Sequence, residues 1–330
     1  MSYSRSIFQH LALDFVSVTE QAAIAASKWI GKGDGKAADK DAVDAMRQMM
    51  NTIDFRGEVV IGEGAKDEAA ELYIGEKLGK ENSKGNSKKN SKSNGPLLDI
   101  AVDPLECTNS VAFGRSNSIT VIALAPKGNL YKAADSYMEK IAVGSQAKNV
   151  IDLDAPVAIN IRKVAKALGK KVGEITVAVL DRERNQKLIQ EIRKAGARIQ
   201  LFTDGDVSWA YATCVRESPV DLMMGIGGST EAVLAATALK CLGGQLLCRW
   251  RPKDEKHIAR LRHAGITNFQ KIFGVNDLAR GDDLAFIATG VLSGPLASGV
   301  NLVGNHIHTE TLVISSKPKT FRRIITKHKL

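Results

Sequence analysis

Between Asn160 and Gly244 the chain changes its hydrophobic rhythm every six to sixteen residues, and few folds accommodate that. Helix-type spacing in NIRKVAKALG, NQKLIQEIRKAG, DVSWAYATCV and STEAVLAATALKCLGG alternates with strand-type runs ITVAVLD, RIQLFT and VDLMMGIGG, joined by short turns. Alternation of this kind predicts a parallel sheet with helical crossovers. Ligands of such sheets lie beyond the carboxyl ends of the strands, so the strand ends are where chemistry is sought.

The first half is less regular. Helical spacing over 9–30 stops at GKGDG, and a second helix fits DKDAVDAMRQMMNTI, with Val43, Met46, Met50 and Ile53 on one stripe. GEVVIGEG reads as a short buried strand, DEAAELYIGEKLG as a helix, and LLDIAVD and SNSITVIALAPKG as adjacent strands. At the C-terminal end DLAFIATGV, TETLVISS and TFRRIIT read as strands without long helices between them. The expectation is two fused α/β units, 1–150 and 151–330, with the boundary near 145–160. The length of 330 residues fits one large domain or two packed ones.

No apolar run approaches the roughly 20 residues of a membrane span, and MSYSRSIFQHLALDF lacks the features of a secretory signal. Cys107, Cys214, Cys241 and Cys248 show neither CxxC pairing nor zinc spacing with histidine, which points to free thiols in a reducing compartment. A cytoplasmic protein is the expectation. The net charge of +10 raises the question of nucleic acid, but its distribution answers against it. Lys80 to Pro96 carries five Lys and one Glu, Ser316 to Leu330 carries six basic residues and no acid, and together these account for the whole excess. The first segment, without an apolar side chain, reads as a flexible surface insertion, the second as a solvated basic tail.

Four turns are rich in carboxylates. GDGKAADKDAVDAM holds Asp34, Asp39 and Asp41, and Asp before a helix is a routine N-cap. IGEGAKDEAA sets Glu63 between two glycines, ahead of Asp67 and Glu68; it is a ligand or a solvated turn. LLDIAVDPLECTNS ends a strand with Asp103, Glu106 and Thr108, and Pro104 keeps Asp103 out of the helical region. GIGGSTEAV opens a helix with Glu231 in its first turn. Here Ser229 or Thr230 caps the helix and Glu231 complements its dipole, or the glycine amides bind phosphate while Glu231 reaches a metal. Oxygen donors on several strand ends, without a His/Cys cluster, suit Mg²⁺ or Mn²⁺ rather than zinc. With phosphate contacts they describe metal-assisted phosphoryl hydrolysis. Arg182 and Arg184, alternating at the end of the ITVAVL strand, are placed to grip a phosphate or to solvate a helix start. Asp204, Gly205 and Asp206 form either a turn and cap or a hydroxyl-binding site, and Tyr137 is an aromatic contact or core filler.

In order, GKGDGKAADKDAVDAMR, VVIGEGAKDEAAELYIGEKLG, DIAVDPLECTNS, TDGDVS, GIGGSTEAVLAATALKCLGG and TETLVISSKPKTFRRI resemble the motifs of class II fructose-1,6-bisphosphatases, members of the lithium-sensitive sugar-phosphatase superfamily. The resemblance implies a layered α-β-α-β-α sandwich and metal-dependent hydrolysis of the 1-phosphate of fructose 1,6-bisphosphate, a step of gluconeogenesis. Sedoheptulose 1,7-bisphosphate is a possible second substrate of that site. The resemblance also implies Mn²⁺ or Mg²⁺ held by Asp39, Glu63, Asp103, Glu106 and Glu231. Thr108, with Asp67, would orient and deprotonate the attacking water. Glu106, Cys107, Thr108, Tyr137, Arg182, Arg184, Asp204, Gly205, Asp206 and Gly228 would hold the sugar bisphosphate. A homo-oligomer without membrane or nucleic-acid partners is the implied assembly.

The sequence departs from that family at several points. Cys107 replaces a usual Gly, Thr230 and Ala232 flank Glu231 where Pro and Gly are usual, Ala70 replaces a proline, and Arg182 replaces a Lys. A positive φ at Cys107 would cost about 1 kcal/mol or more. A catalytically weakened homologue with a binding or regulatory role is the alternative this raises, alongside a phosphatase for another small phosphate ester.

Overall fold

The computed structural model describes residues 7–62, 72–80 and 95–329. The chain divides into two compact units: Met1–Lys132 with Arg280–Leu330, and the continuous stretch Ala133–Ala279. The boundaries therefore fall near 132 and 279, not at a single cut near 150, because the C-terminal strands return to the first sheet.

The first unit runs α1 (Ile7–Ser27), α2 (Gly35–Met50), β1 (Arg56–Ile61), β2 (Lys77–Leu78), β3 (Leu97–Glu106), α3 (Thr108–Ala112) and β4 (Ser118–Pro126). It is completed by the last four strands of the chain, β11 (Ala285–Leu292), β12 (Asn301–Val303), β13 (His306–Ser316) and β14 (Lys319–Lys329). Its sheet has the order β12-β13-β11-β4-β3-β1-β2, with β14 on β13. Among the described residues only β1 and β3 pair in parallel there; the other ladders are antiparallel. Asp34 caps α2 by accepting from the Ala37 amide at 3.0 Å. Ala38, Ala42, Val43, Met46 and Met50 of that helix are buried against α1 and the sheet, each large side chain contributing about 1.5–3 kcal/mol. Buried hydroxyls lock α1 down: Thr289 bonds to Thr19 at 2.7 Å and to Thr311 at 2.8 Å, and Thr120 donates to the Thr19 carbonyl.

The run expected to be helical over 67–79 is, where described, a turn followed by β2. Gly75 and Gly79 sit at φ of 94° and 116°, outside the helical region. A Cβ at Gly79 would stand 1.9 Å from the Phe55 carbonyl oxygen. The basic segment at the C-terminus is no tail either. Residues 319–329 form an edge strand on β13 with exposed Lys and Arg, a charge pattern that discourages further pairing. The described ends of the Lys80–Pro96 insertion are clipped to one turn. Lys80 N donates to Ile53 O (2.9 Å), and Arg56 N donates to Pro96 O (3.0 Å). Residues 81–94 lie outside the described part.

The second unit contains β5 (Tyr137–Val143), α4 (Val157–Leu168), β6 (Thr176–Leu180), α5 (Gln186–Ala195), β7 (Arg198–Phe202), α6 (Val207–Ala212), β8 (Leu222–Gly228), α7 (Ser229–Leu242), β9 (Gln245–Trp250), α8 (Glu255–His263), β10 (Phe273–Gly274) and α9 (Val275–Leu278). The strand order is β10-β9-β5-β8-β6-β7. The expected parallel pairing holds for β7, β6 and β8. The sheet as a whole is mixed, because β5 inserts between β8 and β9 and runs antiparallel to both. One face buries Ile141, Val143, Val177, Val179, Leu222 and Met224 under α4 and α5. On β5 the alternate positions Met138, Lys140 and Ala142 point the other way and are fully buried too. From Ala232 to Leu239 every residue of α7 is buried, as expected of a helix apolar all round. Both units thus pair sheet with helix, the α/β class the sequence implies. Among the described residues no helix is long and apolar enough to cross a membrane.

Candidate active site

In the first unit the chemistry gathers where β3 ends. Residues three apart on a regular strand face opposite sides of the sheet. Asp103 pairs with Val121, but Glu106 pairs with Ile119, so the ladder absorbs one extra residue between them. That irregularity returns Asp103 and Glu106 to the same face. The sequence suggests a turn at this point; the strand instead continues through Pro104 to Glu106, with a bulge. Asp103 Oδ1 accepts from the Leu105 amide at 3.1 Å, and Glu106 is 3% exposed.

Cys107 then turns the chain with φ 70° and ψ 46°, the left-handed conformation for which glycine is the ordinary residue. Thr108 opens α3 and donates Oγ1–H to the Leu105 carbonyl at 3.0 Å. Helix α2 packs on β3 and α3. A Cβ on its first residue, Gly35, would lie 2.9 Å from Thr108 Cγ2, so glycine permits the close approach. Asp39 stands one turn further along, on the same side of the helix as Gly35. β1, parallel to β3 with Ile61 opposite Ala101, ends beside it. Glu63 and Asp67, the expected ligand and the expected partner of Thr108, lie outside the described residues.

The second unit gathers the other expected residues. A cavity of about 370 Å³ is lined by Tyr137, Arg182, Arg184, Asp204, Gly205, Asp206, Gly228 and Glu231. Arg184 donates Nε–H to the Ile226 carbonyl at 2.9 Å and lays its guanidinium 4.7 Å from the Tyr137 ring centroid. Arg182 lies 3.7 Å from Asp204. Neither Ser229 nor Thr230 caps α7. Its N-cap is Gly228, without a side-chain bond, while Ser229 donates to the Ala134 carbonyl at 2.6 Å and accepts from the Ser136 amide. A Cβ on Gly228 would stand 2.0 Å from Glu231 Oε2, so Glu231 folds back over the helix start.

Two residues of this cavity region escape sequence reading. Lys140, buried in β5, holds Asp206 with Nζ at 2.9 and 2.6 Å from its two carboxylate oxygens. Burial pushes the Asp206 carboxyl up, Lys140 pulls it down and the nearby Glu231 pushes it up again. His257, from α8, also lines the cavity. A Lys within an apolar strand and a His in a charged helix carry no motif. Of the four free cysteines, Cys214 and Cys248 have thiols pushed up to about 12 by burial, which leaves them inert.

Among the described residues no three His, Cys, Asp or Glu side chains converge on a metal position. The described donors among the expected ligands, Asp39, Asp103, Glu106 and Glu231, are all carboxylates, a donor chemistry that fits a hard divalent cation.

The carboxylates at the end of β3 and the arginine-bearing cavity at the start of α7 are donors of the kind a phosphate-ester hydrolase uses. The family description "Bacterial fructose-1,6-bisphosphatase, glpX-encoded" matches residues 9–328, and the chain belongs to that family. The class 2 D-fructose 1,6-bisphosphatase/sedoheptulose 1,7-bisphosphatase of Synechococcus sp. (strain JA-3-3Ab) is 42% identical over 330 residues, covering 96% of this chain and 95% of that one. The class 2 fructose-1,6-bisphosphatase of Haemophilus influenzae is 41% identical over 333 residues, covering 97% and 96%.

Proposed function

We propose that the chain hydrolyses the 1-phosphate of fructose 1,6-bisphosphate, releasing fructose 6-phosphate and inorganic phosphate, and that it also accepts sedoheptulose 1,7-bisphosphate. The observation that carries this is the second unit's cavity, where Arg182 and Arg184 stand with Asp204, Asp206 and the N-terminus of α7. Two guanidinium groups suit a phosphate, and the carboxylates suit sugar hydroxyls. The Synechococcus relative is named for both substrates, the Haemophilus influenzae relative for fructose 1,6-bisphosphate alone, and both names support this reading as far as they go.

Asp39, Glu63, Asp103, Glu106 and Glu231 would hold Mn²⁺ or Mg²⁺. When bound, such ions neutralise the phosphoryl oxygens and activate water. Thr108, fixed at the start of α3, orients the water, with Asp67 as its partner. Glu106 to Thr108 and Gly228 bind the substrate together with Tyr137, Arg182, Arg184 and Asp204 to Asp206. Positioning of this kind is most of what phosphoryl transfer asks of a protein. A cytoplasmic homo-oligomer is the proposed setting.

The weakened-homologue reading finds little support at Cys107. The residue takes the left-handed conformation, yet Thr108 still opens α3 with its hydroxyl bonded to Leu105. The test is phosphate release from fructose 1,6-bisphosphate by the purified chain with Mn²⁺, Mg²⁺ or EDTA. Metal-dependent release, abolished in Asp103→Ala while the fold is retained, is the expected result. Release that survives EDTA, or wild-type rates in Asp103→Ala, would refute the assignment.

A further inference from the structure

We propose that His257 is a further contact for the substrate's remote phosphate, extending the cradle formed by Arg182 and Arg184; this rests on the reading of the cavity given above. His257 stands in the first turn of α8 and lines the same cavity as the two arginines. Its ring centroid is 5.3 Å from that of Tyr137, the ring that also carries the Arg184 guanidinium at 4.7 Å. Arg184, Tyr137 and His257 therefore form one contiguous stretch of cavity wall.

The ring is held from outside the cavity. Asp254, the N-cap of α8, accepts from the His257 backbone amide at 3.0 Å, and the same oxygen lies 2.6 Å from ring Nδ1. One turn on, Arg260 bonds to Asp135, which also lines the cavity, and fixes the helix a second time. With Nδ1 committed to Asp254, Nε2 is left without a hydrogen-bond partner among the described residues. The side chain is 17% exposed, which suits a group that meets a cavity occupant. An imidazolium offers a donor on each nitrogen, so one ring can serve the Asp254 carboxylate and a phosphoryl oxygen at once. A carboxylate behind a histidine fixes the ring's orientation in the same way at metal and catalytic sites.

The experiment measures equilibrium binding to the full chain, with EDTA present so that nothing turns over. Fructose 6-phosphate carries only the remote phosphate and fructose 1-phosphate only the scissile one. His257→Ala and His257→Phe, the latter keeping a ring against Tyr137, are expected to weaken fructose 6-phosphate binding about tenfold, the worth of one hydrogen bond to a charged group. Fructose 1-phosphate affinity is expected to stay unchanged, and His257→Gln to fall between. For the bisphosphate, KM rises by a similar factor in His257→Phe while kcat holds. Unchanged fructose 6-phosphate affinity in both variants, equal losses for the two monophosphates, or no fructose 6-phosphate binding by the wild type would each overturn the proposal. Binding that depends on His257 in a chain that releases no phosphate would instead overturn the hydrolytic reading and leave this contact standing.

Discussion

Cys107 holds a backbone conformation that costs a residue with a Cβ about 1–2 kcal/mol, and its buried Sγ lies 3.9 Å from Asn117 Nδ2. Replacing it by Gly exchanges that strain for a small void. Cys107→Gly is expected to change kcat by less than about tenfold, which is less than about 1.4 kcal/mol in barrier. Cys107→Val places a β-branched residue where such residues are genuine outliers, and is expected to lower both melting temperature and kcat. Steady-state kinetics and thermal melts of the two variants check this. Lys140 makes a second prediction. Lys140→Met strands a buried Asp206 carboxylate and should cost about 3–5 kcal/mol, with Lys140→Met/Asp206→Asn recovering most of it. Denaturant unfolding of the single and double variants is the measurement. The sequence made Arg182, Arg184, Asp204 and Asp206 legible because charged residues cluster there at strand ends. It hid Lys140, whose apolar surroundings look like any strand interior until a carboxylate from another element meets it.

At the scale of elements, β3 shows what a sequence pattern leaves out. The residues of LLDIAVDPLE advertise a strand, but not the register in which β4 receives them. Parity decides which face Asp103 and Glu106 share, and that depends on a partner distant in sequence. The helix expected over 67–79 fails, over its described residues 72–79, for the same reason: helical spacing is present, and Gly75, Gly79 and pairing with β1 override it. β1 also carries a pH signature. Hydrogen bonds from Lys77 and Lys132 hold the Glu58 carboxyl down at about 2 instead of 4.5. Because the folded-state value is the lower one, this pairing stabilises the fold above pH 4.5, and the benefit is lost as pH falls from there toward 2. The melting-temperature gap between wild type and Glu58→Gln is therefore expected to be widest near neutrality and to close across that window. A gap that widens in acid would contradict it.

For the whole molecule, the alternating rhythm of residues 160–244 announced the second unit's class, and the C-terminal strands were visible as strands. That they belong to the first unit was not visible, since strand pairing across some 160 residues leaves no local mark. The second unit, Ala133–Ala279, is continuous in sequence, carries its own core under α4 and α5, and sets α7 against β5, β8 and β9. Expressed alone, it is expected to fold and unfold cooperatively, as followed by circular dichroism and calorimetry. A chain of 133–279 without a cooperative transition would show that its core is insufficient.

Lys80 and Pro96 are both hydrogen-bonded to the turn at residues 53–56. The chain thus departs and returns at one doorway, and the closure of whatever lies between is already built into the scaffold. Lengthening a closed loop costs only about 0.6 kcal/mol per doubling. The position is therefore a natural socket for protein engineering. A fluorescent reporter or an affinity cassette whose own termini lie close together can be spliced between Lys80 and Gly95, with the sheet on either side left as it stands.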